Sequence, residues 1–80
     1  MKINKKIAVS ESGFVFDSST GDSFSVNPLG IEIIGMVRDN KTEDDIRKIL
    51  SEKYEVSVPV LEKSLSDFIG SLRSAKIIED

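Results

Sequence analysis

The sequence contains no cysteine, no histidine and no tryptophan. Without cysteine there are no disulfide staples and no thiolate metal ligands. Without histidine there is no imidazole ligand and no Ser–His or Cys–His dyad. A chain lacking disulfides fits a reducing cytoplasm, although lack of cysteine permits that setting without requiring it. There is no long apolar run either. The basic start Met1-Lys2-Ile3-Asn4-Lys5-Lys6 is followed by Ile7-Ala8-Val9, which Ser10-Glu11-Ser12 breaks at once, so no secretory h-region forms. The most apolar stretch, Ile31 to Val37, contains Glu32 and is too short to cross a bilayer. The expectation is a soluble, cytoplasmic protein with no membrane partner. Charge of one sign is also missing. Residues 1–27 balance at zero, 38–55 sum to −1 and 57–76 sum to +1; Glu32, Glu79 and Asp80 lie outside these segments and bring the total to −3. No basic stripe exists to follow a phosphate backbone, which argues against nucleic acid.

At 80 residues the expectation is one domain over 1–80, whose small core gives modest stability. Two styles of sequence meet near Asn27. Before it, three short alternating segments read as strands: Lys5 to Ser10 with Ile7 and Val9 together; Phe14-Val15-Phe16; and Ser23 to Val26 with Phe24 and Val26 inward. The cluster Asp17-Ser18-Ser19-Thr20-Gly21-Asp22 reads as a hairpin turn in which Gly21 takes positive φ. This is a three-stranded meander whose third strand lies at an edge.

After Asn27 the apolar spacing becomes helical. Asn27 is a good N-cap and Pro28 a good first helical residue. Leu29, Ile33, Met36 and Val37 form the expected inner stripe, and Asn40 suits a left-handed stop. Thr42 to Asp45 resembles a capping box and opens a second helix with Ile46, Ile49, Leu50 and Tyr54 inward. Ser57 and Pro59 open a third, where Leu61, Leu65, Phe68, Ile69 and Leu72 share one face. Ile77-Ile78 folds back on the core. The fold class is α+β, winged-helix-like: a three-stranded antiparallel sheet followed by three helices.

Nothing here resembles an active site. The acids from Asp39 to Asp45 sit where capping and the helix dipole account for them. Ser18-Ser19-Thr20-Gly21 lacks the glycine spacing and lysine of a phosphate loop. The serines have no base beside them. No cofactor or metal is expected.

An ordered set of residues does carry a resemblance. It comprises Gly21, Val26-Asn27, Gly30 and Ile33, Asp39 to Thr42, Asp45-Ile46, Tyr54-Glu55-Val56, Leu65, Phe68, Leu72 and Lys76-Ile77-Ile78. Over roughly residues 13–78 the chain resembles the PqqD-like family, the recognition elements for ribosomally made precursor peptides. Asn40 stands where that family usually has Gly, Ile34 where an aromatic is common, and Pro28 where an acidic or polar residue is typical. The Tyr-Pro-Glu-Gly-like turn of the pyrroloquinoline quinone member is absent, which leaves lasso-peptide and other leader-dependent pathways open.

The resemblance implies a protein without catalytic activity that binds a leader peptide. The leader adds as a strand to the third strand and packs against the third helix. The complex is then presented to a maturation enzyme such as a leader peptidase or a radical SAM enzyme. Ser23, Phe24, Ser25 and Val26 are the expected strand contacts, their serines leaving the edge accessible. On the helix, a wheel with Leu61 at zero puts Ile69 near about 80°, Glu62 near about 100°, Arg73 near about 120° and Ser66 near about 140°. This flank is the expected groove wall. The alternative for it is that Ile69 is core while Glu62 and Arg73 are solvated surface. Two other functions fit the same fold: a winged-helix DNA-binding protein, and an adaptor or strand-swapped assembly module. The first is disfavoured by the exposed helix face, where Lys63 is offset by Asp67 beside Gly70 and Ser74.

Overall fold

The computed structural model describes residues 1–80. Its elements run β1 (Lys2–Ile3), β2 (Ile7–Val9), β3 (Phe14–Asp17), β4 (Ser23–Ser25), α1 (Pro28–Arg38), α2 (Glu43–Lys53), α3 (Val58–Ser74) and β5 (Ile78–Glu79). The expected meander is β2-β3-β4, antiparallel throughout, with β4 at one edge. Three helices follow it, which gives the α+β class expected from the sequence.

The hairpin joining β3 to β4 forms for local reasons. Asp17 accepts hydrogen bonds from the backbone N–H and hydroxyl of Ser19, at 2.8 and 2.6 Å, and Gly21 takes φ +78°. These bonds from Ser19 hold the Asp17 carboxyl below its ordinary pKa. Gly13 carries a heavier constraint. Its φ is +98°, and a Cβ there would come within 2.7 Å of the Val26 carbonyl oxygen. The Val26 N–H donates to the Gly13 carbonyl at 2.8 Å, so this glycine lets the end of β4 close onto the sheet.

Two helices begin as their caps dictate, whereas Ser57 precedes α3 without a side-chain capping bond and Pro59 sits in its first turn. The Asn27 side chain accepts from the Gly30 N–H at 2.7 Å, with Pro28 in the first turn. Thr42 and Asp45 form a complete capping box, each side chain accepting from the other's backbone N–H. Asn40 ends α1 at φ +65°.

Thirteen apolar residues make the core, drawn from β2, β3, all three helices and the C-terminal Ile77-Ile78. Each fully buried Val, Leu or Ile is worth about 1.5–3 kcal/mol, so these positions dominate stability. The expected stripes need three corrections. In α1 the buried set is Gly30, Ile33, Ile34 and Val37, while Leu29 is 40% exposed. In α2 only Ile46 and Leu50 are buried, and Ile49 remains exposed. Tyr54 lies past that helix in extended backbone, its hydroxyl donating to Glu32 at 3.0 Å. In α1 the buried line is rotated from the expected stripe, in α2 it is narrower, and Tyr54 falls outside the helix altogether.

The N-terminus adds an element that the sequence does not announce. β1 pairs antiparallel with β5, Ile3 opposite Ile78, and the Asn4 amide donates to the Lys76 carbonyl at 3.1 Å. Two-residue strands are too short to carry a period.

Candidate functional site

The free edge of β4 is defined by its register on β3. Phe14 faces Ser25, Val15 faces Phe24 and Phe16 faces Ser23. The Val26 N–H bonds the Gly13 carbonyl and the Asp17 N–H bonds the Asp22 carbonyl, so these are hydrogen-bonded pairs of the ladder. Antiparallel ladders alternate, which makes Phe24–Val15 the next such pair and leaves the backbone groups of Ser23 and Ser25 pointing away from β3. Two N–H donors and two carbonyl acceptors therefore line the edge. Both serines are exposed.

Beside this edge lies a cleft of about 340 Å³. Ser25, Val26 and Asn27 form its strand side, and Leu29, Gly30 and Ile33 of α1 its floor. Leu61, Ser64, Leu65 and Phe68 of α3 form the opposite wall, with Leu50 of α2 at one end. The exposure of Leu29 is explained here: it belongs to an open apolar surface and not to the core. Gly30 sets the depth. A Cβ there would meet Phe68 Cζ at 3.1 Å and Val26 Cβ at 3.2 Å, so the absent side chain lets the phenylalanine ring rest on the helix.

At the other end of β4, Ser23 and Phe24 open onto a second, more polar depression. Ser74, Ala75 and Lys76 at the end of α3 line it, with Lys6, Asp17 and Asp22 among its other lining residues. The free edge thus runs from an apolar cleft at Ser25 to a polar one at Ser23.

The strand residues named from the sequence, Ser23, Phe24, Ser25 and Val26, are brought together along this edge. The helix residues are not. Ile69 is 0% exposed and belongs to the core, as its alternative reading had it. Glu62 accepts from Arg47 Nη1 at 2.8 Å and shares with Ser66 a shallow depression against the start of α2. Arg73 reaches Asp80 at 3.4 Å near the C-terminus. The cleft therefore lies on the other flank of α3, where Ser64 and Phe68 fall near about 300° and 340° on the same wheel. A wheel locates a stripe but not which of its flanks the sheet approaches. A signal did exist: one flank carries Glu62, Ser66 and Arg73, whereas the other carries Val60, Ser64 and Phe68. An apolar groove needs the second.

Comparison with known proteins bears on this arrangement. Residues 13–78 match the family model described as coenzyme PQQ synthesis protein D, PqqD. The chain belongs to the PqqD family. No curated protein matches the chain. Among solved structures, this PqqD-family chain is similar to TbiB1 in complex with the TbiA(β) leader peptide. The TM-score is 0.88 at 24% identity, covering 99% of this chain and 95% of the other. It is also similar to a lasso peptide synthetase B1 complexed with the leader peptide. There the TM-score is again 0.88, at 18% identity over 99% and 96% of the two chains. At these identities the likeness establishes a shared fold over nearly the whole length of each partner.

Proposed function

We propose that this chain binds the leader segment of a ribosomally made precursor peptide, without catalysing a reaction itself. It then presents the peptide to a maturation enzyme such as a leader peptidase or a radical SAM enzyme, in the cytoplasm. The observation that carries the proposal is the free β4 edge, with the backbone groups of Ser23 and Ser25 turned outward beside an apolar cleft against α3. Family membership supports it, and so does the fold shared with two proteins solved with leader peptides bound.

An extended peptide docks here by adding a fourth strand to β2-β3-β4. Four edge hydrogen bonds at about 1 kcal/mol net each supply about 4 kcal/mol. Two apolar side chains entering the cleft at about 2–3 kcal/mol each add about 4–6. Ordering a flexible peptide costs about 2–5 kcal/mol, which leaves roughly 5–6 kcal/mol, an affinity near about 0.1 millimolar. Such a complex holds its cargo and still releases it.

The partner side of the reading is tested with the N-terminal half of the precursor peptide encoded beside the gene, titrated by calorimetry. Ser25→Pro removes an outward N–H without touching a bond to β3, and proline is tolerated at a strand edge. The expected result is a folded variant that binds five- to tenfold more weakly, about 1 kcal/mol. Unchanged affinity in the folded variant rules out this edge.

A further inference from the structure

The outer face of the sheet is unusual for a surface that meets only water. Phe14 is 57% exposed and Phe16 44% exposed, both on the face opposite Val15 and the core. The register shows why nothing shields them. Phe16 stands between Ala8 of β2 and Ser23 of β4, and Phe14 lies opposite Ser25. Each ring is flanked by a small side chain on the β4 side, the side that carries the free edge.

A strand added to β4 places alternate side chains on this same outer face, in the rows of Ser23 and Ser25. Strand spacing of about 4.8 Å puts the new backbone roughly two spacings from β3. The serine between is too short to fill that distance, so a long side chain leaning over it meets the phenylalanine ring. Aromatic and long side chains reach diagonal neighbours about 7–8 Å away on an adjacent strand, and two such side chains leaning toward each other span the two-spacing gap.

We propose that the outer sheet face is a second contact surface for the bound peptide, with Phe16 and Phe14 receiving bulky apolar side chains at positions i and i+2 of the added strand. The proposal rests on β4 being the edge that receives the peptide, and it deepens that reading by specifying the peptide. Residue i+1 points inward beside Phe24, so the recognised segment is apolar on both faces over three residues. An ordinary half-buried strand alternates apolar with polar. The size of the patch selects this occupant. Two rings offer about 150–250 Å² each even if wholly covered, well short of the roughly 800 Å² per partner that a stable dimer or enzyme interface buries. Side chains of a peptide already held by the edge need no more.

The test is a display selection of random twelve-residue peptides on the wild-type chain, followed by a mutant cycle. Enriched peptides are expected to carry bulky apolar residues at i and i+2. Replacing those two with serine should weaken binding to the wild type about tenfold. The same replacement should change binding to Phe14→Thr/Phe16→Thr by less than twofold. Both rings are exposed and threonine suits strands, so the variant should keep its fold; a thermal melt checks this, and Phe14→Thr alone serves if the double variant is unstable. Equal losses on wild type and variant overturn the proposal while leaving the edge reading intact. So does a variant that binds peptide normally yet fails to support leader processing by the partner enzyme, which would assign the rings to enzyme docking. If no enriched peptide is weakened by Ser25→Pro, the edge reading itself fails, and this inference with it.

Discussion

Lys76 adopts φ +61°, a left-handed conformation that a lysine reaches only at a cost. It stops α3: the Ile77 N–H turns back to the Leu72 carbonyl at 2.9 Å, the long bond of a Schellman turn. Glycine is the usual residue at that position, because it has no Cβ to clash. Asn40 solves the same problem after α1 with a residue type that tolerates the geometry better. Lys76 also lines the polar depression at the Ser23 end of the edge. Lys76→Gly should therefore stabilise the fold by about 0.5–1 kcal/mol, read as a higher urea midpoint. A lower midpoint would mean that contacts of the lysine side chain outweigh its backbone strain.

At the scale of elements, charged groups tie helices that share little core. Lys53 at the end of α2 bonds the Glu32 carboxylate of α1, and the Tyr54 hydroxyl donates to its other oxygen. The Lys53 ammonium holds Glu32 below the usual carboxylate pKa, assisted by Tyr54, and Glu32 in turn raises Lys53. Asp45 is held low by the Thr42 backbone N–H of the capping box, as Asp17 is by Ser19. The signs follow from linkage. Three depressed carboxylates contribute stability above the ordinary carboxylate range of about 4, and lose it as pH falls through their folded values. Lys53, raised, contributes below the ordinary lysine value of about 10.4 and loses that contribution at higher pH. With no histidine in the chain, the urea midpoint should be level from about pH 6 to 9, falling on both sides. Glu32→Gln should blunt both declines. An unchanged alkaline limb in that variant would separate Lys53 from Glu32.

The elements were largely legible in the sequence because their causes are local. Asn27, Thr42, Gly21 and Asn40 each act on the backbone within a few residues, and each does in the structure what its type favours. What stayed hidden depends on contacts between distant segments. Gly13 matters because the Val26 carbonyl lies against it. The β1–β5 pair joins the two ends of the chain. The groove side of α3 depends on where the sheet edge arrives, which no periodicity within the helix records.

At the scale of the whole molecule, the fold separates what must be rigid from what must stay open. Thirteen buried residues fix three helices against one face of the meander. The same packing leaves both outer edges of the meander, on β2 and β4, without a partner strand, with an apolar cleft beside the β4 edge and two phenylalanines on the outer sheet face. An open edge is normally a liability that proteins blunt with charge, proline or a cover. β4 has none of these, only serines that keep its backbone accessible. No helix is long and apolar enough to cross a membrane. Under the proposed reading, the bound peptide supplies a fourth strand to this sheet.

The most direct measurement is amide hydrogen exchange by NMR on the labelled chain, free and saturated with the N-terminal half of the precursor peptide encoded beside its gene. The account predicts that the Ser23 and Ser25 amides exchange freely alone and become protected in the complex, with shift changes at Val26, Ser64 and Phe68. Saturable binding that leaves both serine amides unprotected, or that perturbs only Glu62, Ser66 and Arg73, would contradict it.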